Sequence, residues 1–379
     1  MTKIYKKDNV IRRSTVIMFM YILTIFVYAF TAEYESVGWL SQVKYILSIC
    51  TIIICVLYMN KSKQINIFKY EVKSVIWIIG AFAVISLIRS IYINSFTIRT
   101  FQELLFLLIP VIFSYCILNT LNKKQIDKCM ISTLIIFMIA YFGEINMGFS
   151  EFISALTSMS FSNSYSMLES STFAGSSIAI SMYFIYFKKN KLAYLASIFF
   201  VILTFKRLAI VFVIFLIFVI KLFNYNKKVN YYALNSIKII ILLITILYYL
   251  IMIPKNVEYI NSLFNIDLYK ITMSRTYRFS LIYNRPMFIN TGLGSTFTYL
   301  MNRYGVTLEM DFIKLLIEVT PIGLWIFINN MCNIVKKNWY CMLLMLFQFF
   351  NLITSHSLAS TFAWTIFYLT IGCVLYKNE

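Results

Sequence analysis

Apolar residues run through this chain in long unbroken stretches, without the alternation of a half-buried strand. The stretches fall at 14–31, 43–59, 73–93, 101–119, 128–145 and 172–187, then at 192–205, 208–223, 236–253, 312–331, 339–355 and 357–376. Short polar segments separate them; the narrowest divider is Lys206-Arg207. A helix needs about 20 apolar residues to cross a bilayer, so the pattern predicts an all-α polytopic membrane protein with about 12 transmembrane helices. Its organisation is a basic leader at 1–13, helices 1–9 over 14–253, one long external loop at 254–311, and helices 10–12 with a short tail over 312–379. That loop has 58 residues, too many for a bare connection. Its scattered Leu, Phe, Ile and Tyr predict a folded lid on the membrane surface. A Ser- and Met-rich stretch at 146–171 is a candidate second flap.

Composition agrees: 60% of residues are hydrophobic, 13% are charged, and the mean hydropathy is +0.78. About a quarter charged residues is usual for a water-facing surface, which excludes a soluble enzyme. With 10 Gly and 4 Pro, a membrane β-barrel is excluded as well. Seven cysteines show no C-x-x-C spacing, so neither a disulfide framework nor a zinc site is expected. The net charge of +19 is assigned to cytoplasmic loops and not to nucleic acid. With the leader cytoplasmic and uncleaved, 22 of the 34 basic residues fall inside and both termini are cytoplasmic.

Lysine and arginine divide differently across that topology. Of 25 Lys, 20 fall inside, whereas seven of nine Arg (Arg89, Arg99, Arg207, Arg275, Arg278, Arg285 and Arg303) fall outside. Orientation signalling does not distinguish the two cations, but a planar guanidinium fork suits phosphate oxygens. Arg275, Arg278 and Arg285 are expected along one side of a helix, with a diphosphate as guest. Lipid headgroups, or outer acids such as Glu33, Glu35, Glu144, Glu151 and Glu169, are the alternative partners. Arg99 and Arg207 are further candidates for the diphosphate; Arg207 could equally snorkel to lipid. Gly292-Leu293-Gly294 reads as a turn that brings backbone close to a ligand. Asp311, Lys314 and Glu318 share one face at the entrance of the tenth span, and a carboxylate two turns into a bilayer faces a cavity or a partner. A Lys314–Glu318 pair at i, i+4 is the alternative. His356, the only histidine, is a candidate base or a hydrogen-bonded structural residue.

No nucleotide-binding or metal-binding motif is present, so no cofactor is expected and any reaction must use an already activated substrate. Ser171-Thr172-Phe173-Ala174-Gly175, Thr204-Phe205-Lys206-Arg207, the Arg278–Gly294 segment and Phe312–Gly323 follow one another over about 170–330. In that order they resemble the O-antigen polymerase and O-antigen ligase superfamily of bacterial inner membranes. The resemblance implies a glycosyltransferase on the outer face of the cytoplasmic membrane. It would move a glycan from undecaprenyl diphosphate onto another lipid-linked repeat unit, with a chain-length regulator as a candidate partner. Ligases of the family carry His-Asn where this chain has Glu309 and Met310, which favours the polymerase branch. Arg207, Arg275 and Arg278, joined by Arg285 and Arg99, would then hold the diphosphate; Asp311 would take the acceptor hydroxyl proton, with Glu318 and His356 as further catalytic candidates. A ligase and a lipid-linked oligosaccharide flippase are the alternatives. No six-plus-six repeat favours the flippase.

Overall fold

The computed structural model describes residues 2–31, 40–59, 66–145, 150, 151, 154, 171–204, 206–222, 224–283 and 285–377. Most of 146–171, together with Glu33, Glu35, Glu169 and Phe205, lies outside the described residues. Every regular element among the described residues is a helix. That is the form in which an apolar segment satisfies all its backbone groups internally. Along the chain these are α1 (Thr2–Thr31), α2 (Leu40–Met59), α3 (Lys69–Ile93), α4 (Ile98–Thr120), α5 (Lys123–Ile145), α6 (Ser171–Phe187), α7 (Lys191–Leu203), α8 (Arg207–Leu222) and α9 (Tyr231–Met252). There follow α10 (Pro254–Phe264), α11 (Leu268–Ile271), α12 (Arg275–Ser280), α13 (Ser295–Tyr304), α14 (Asp311–Glu318), α15 (Thr320–Val335), α16 (Trp339–Thr354) and α17 (Thr361–Tyr376). Asparagine opens three of them: Asn190, Asn230 and Asn338 turn their side-chain oxygens back onto the first free N–H groups of α7, α9 and α16.

Six helices among the described residues are long and apolar enough to cross a membrane: Arg13–Thr31, Gln42–Met59, Lys69–Ile93, Ile98–Thr120, Lys123–Ile145 and Tyr231–Met252. Other expected spans are shorter. The run at 192–205 forms the 13-residue α7, which at 1.5 Å per residue rises only about 20 Å. The run at 312–331 is not one helix. It breaks at Val319, and Thr320 adopts a left-handed φ of 68°. Pro321 is the cause, since its ring disfavours a helical conformation in the residue before it.

By contact the chain forms two units. The first comprises Met1–Lys69, Ile109–Tyr225 and Phe362–Glu379. In it α1 packs against α2 and α5, and α6 packs against α5, α7 and α8. Inside it Tyr21 and Thr133 share a hydrogen bond of 3.1 Å, and the Tyr141 hydroxyl donates to the Leu203 carbonyl at 2.6 Å. The second unit comprises Tyr70–Leu108 and Asn226–Thr361. There α14 packs on α15 and α16, and α9 on α15 and α12. The 254–311 segment is helical and carries its own apolar core. Phe279, Leu281, Ile282, Leu300 and Leu308 close it against Met252, Met310 and Ile313.

Candidate functional site

The buried charged residues Glu103, Asp311, Lys314 and Glu318 lie in the second unit. The turn Asn290–Gly294 holds them in register. Ser90 donates to the Thr291 carbonyl (3.0 Å), Thr100 donates to the Leu293 carbonyl (2.7 Å), and the Leu293 N–H donates to Ser86 (3.0 Å). The turn thus lies flat on α3 and α4. Both glycines are required there: Gly292 has φ 110° and Gly294 φ 88°, and an added Cβ would lie 2.6 Å from Ser86 and 2.7 Å from Arg99. The backbone approach expected for a ligand is therefore made to side chains of the protein.

Gly294 starts α13 without a side-chain cap of its own. Glu318 supplies one from α14. Its Oε2 accepts the Gly294 N–H (2.8 Å), and its Oε1 accepts the N–H (2.8 Å) and hydroxyl (2.6 Å) of Thr296. A carboxylate at a helix N-terminus meets both the free donors and the positive end of the dipole. Glu318, a catalytic candidate in the sequence, is fully buried and has both oxygens engaged in this cap. The alternative i, i+4 ion pair with Lys314 is not formed. The Lys314 ammonium lies 2.8 Å from Glu103 of α4, and Glu103 also receives Arg99 at 2.9 Å. Side-chain exposures of 2% for Lys314 and 1% for Glu103 make this a buried pair.

Asp311 is also fully buried. Its Oδ2 accepts the N–H groups of Ser357 and Leu358 at 2.6 Å each, and its Oδ1 lies 2.9 Å from Nδ1 of His356. Both oxygens of the expected base are thus engaged within the protein. Asp311 fixes His356. The His356 side chain keeps 22% of its surface exposed. Both residues lie outside the apolar runs. Burial works against the Asp311 charge, but His356, Lys314 and the Leu358 N–H together outweigh it and hold Asp311 below the ordinary carboxylate range. Burial equally disfavours the imidazolium, and Asp311 outweighs that, raising His356 above the ordinary histidine value. Phe297 links this pair to Arg99: its ring stacks on His356 at 6.0 Å, and the Arg99 guanidinium lies 3.7 Å from its centroid.

Within the second unit the arginines take separate partners. Arg207 opens α8, in the first unit. Arg278 is bound to Glu309 at 2.5 Å and to the Thr307 carbonyl at 3.1 Å. Arg275 donates to the Thr272 carbonyl at 3.0 Å. Arg285 does not share a helix with them, since α12 ends at Ser280; it is exposed and reaches the Ser280 carbonyl. Arg89 and Asn290 both donate to the Ile317 carbonyl, at 3.2 and 2.6 Å, satisfying an acceptor that the break in α14–α15 leaves free. Arg303 lines a cleft of about 450 Å³ beside α13, with Thr97, Thr291, Ser295, Thr298 and Tyr299. No local sequence pattern marks Phe297 or this cleft.

Comparison with protein-family models, with curated proteins and with solved structures finds no match to the chain. Among the described residues, fold and site together define an all-helical protein with six helices long and apolar enough to cross a membrane and, in its second unit, an aspartate-anchored histidine.

Proposed function

We propose that the protein is a glycan polymerase of the bacterial cytoplasmic membrane, moving an oligosaccharide from undecaprenyl diphosphate to a hydroxyl of another lipid-linked repeat unit. The observation that carries this reading is the partly open His356 ring held through Nδ1 by Asp311. In the proposed reaction the acceptor oxygen bonds to the sugar C1 as the C1–O bond to the diphosphate breaks. The hydroxyl proton goes to Nε2 of His356, and the diphosphate leaves with the bonding electrons. Asp311 keeps the tautomer that leaves Nε2 free and stabilises the imidazolium that forms, a contribution of about 10²–10⁴-fold for a positioned base. Arg99, which shares Phe297 with His356, is the cation assigned to the developing charge. The order of the segments resembling the polymerase and ligase superfamily supports the same reading.

A lipid-linked oligosaccharide flippase is the second reading. The discontinuous helix α14–α15 favours it, because transporters place their sites at such breaks. Deletion of the gene separates the two. Loss of polymerase predicts surface glycan capped with a single repeat unit, whereas loss of a flippase predicts lipid-linked units accumulating on the cytoplasmic side. A full glycan ladder in the deletion strain contradicts both.

A further inference from the structure

The cleft beside α13 is separate from the His356 pair. Ser295, Thr298, Tyr299 and Asn302 line it, spaced i, i+3, i+4 and i+7, and so share one face of the helix. Phe297, the residue that meets His356, is turned about 200° from Ser295 at 100° per residue. The cleft and the histidine therefore flank α13, roughly one helix diameter (~10 Å) apart.

The cleft walls are rich in hydroxyl groups. Thr97 shares a hydrogen bond with Thr100 (3.0 Å), Ser295 donates to Asn290 (3.2 Å), and Thr298 donates to the Gly294 carbonyl (3.0 Å). Those bonds fix each rotamer and leave lone pairs free to accept. Thr291 differs. It is 4% exposed and lines the cleft, yet among the described residues its hydroxyl has no hydrogen-bond partner. Such an orphan is unfavourable unless something in the cleft pairs with it. Met287, Ile289 and the Tyr299 ring add apolar surface, as the C–H face of a sugar ring requires. No carboxylate lines the cleft and Arg303 is its charged member. Arg285 also acts electrostatically on Tyr299, so this edge is cationic.

We infer that this cleft is a saccharide-binding site that holds a sugar bearing an acidic group, away from the reacting centre. Thr291 and the neighbouring hydroxyls pair with ring hydroxyls, and Arg303 pairs with the sugar carboxylate. The identity of the sugar as part of a growing glycan rests on the function proposed above; its binding does not. In that setting the site holds the glycan at a distance from the transfer point, so it governs chain length and not the first transfer.

The full-length chain in detergent micelles, titrated with glucuronic acid and with glucose by saturation-transfer NMR, tests this directly. Wild type should bind glucuronic acid more tightly than glucose. Thr291→Val should weaken both sugars about fivefold, and Arg303→Gln should weaken only glucuronic acid, about tenfold. Arg303 is exposed, so its variant folds irrespective of any packing defect at Thr291. His356→Ala should bind both sugars as wild type does. Absence of saturation transfer, or equal affinities in wild type, Thr291→Val and Arg303→Gln, overturns the proposal. Binding retained in a protein shown to lack glycosyl transfer sinks the polymerase reading and leaves the cleft standing. Transfer with wild-type chain lengths in both cleft variants, without a binding difference, sinks the cleft alone.

Discussion

At the scale of single residues, burial decides which ionisable groups can do chemistry. Glu103, Asp311 and Glu318 are all but inaccessible, and each has found its partners within the protein. Breaking such a pair costs more than the pair contributes, because the survivor stays buried and charged. Glu103→Gln strands Lys314 and should destabilise the protein by about 3–5 kcal/mol, read as a lowered unfolding temperature in detergent. Adding Lys314→Met to that variant should restore more than half the loss. A single variant that unfolds at the wild-type temperature, or a double variant no better than the single, contradicts the pairing. The carboxylates themselves were legible in the sequence as charges in apolar surroundings. Their partners were not, since Lys314 reaches Glu103 across more than 200 residues of chain and not Glu318 one turn away on its own helix.

At the scale of elements, short punctuation residues determine where the site forms. The Gly-Leu-Gly turn was legible as a turn, but what it approaches was not, because close packing against Ser86 and Arg99 leaves no trace in local sequence. Two glycines separate the causes. Gly294 has a left-handed φ and would crowd Arg99, whereas Gly305 has φ 65° with open space around it. Each Ala substitution forfeits about 1–2 kcal/mol for the left-handed conformation, and Gly294→Ala adds a clash. Thermal unfolding should therefore place Gly294→Ala below Gly305→Ala; equal or reversed temperatures contradict the packing. The break before Pro321 was readable from the proline and was overlooked in favour of a continuous apolar run. It matters because it ends α14 at Glu318, bringing that carboxylate to the start of α13. The arginine stripe failed for a similar reason. The spacing of Arg275, Arg278 and Arg285 presumes a helix that stops at Ser280.

At the scale of the whole molecule, hydropathy made the all-helical character of a membrane protein plain, and among the described residues six helices meet the length a bilayer demands. The count of twelve was less legible. Apolar runs and helices end in different places when asparagine caps, turns and Pro321 cut the helices short. The pairing of Asp311 with His356, 45 residues apart and on different elements, lies wholly outside what local pattern can reveal. It is nevertheless the centre of the functional proposal, and it makes a prediction about pH. A general base works only when neutral. Asp311 raises the His356 pKa, so transfer should be lost as pH falls through a value above the ordinary ~6.5. Removing the carboxylate charge with Asp311→Asn should move that midpoint to lower pH. The most direct measurement is the pH–rate profile of glycan transfer by the purified protein in vesicles, supplied with undecaprenyl diphosphate-linked repeat units. The account predicts a rate rising with a midpoint above ~6.5, a lower midpoint in Asp311→Asn, and a loss of about 10²-fold or more in His356→Ala. Transfer by His356→Ala at the wild-type rate, or a midpoint indifferent to Asp311→Asn, would contradict it.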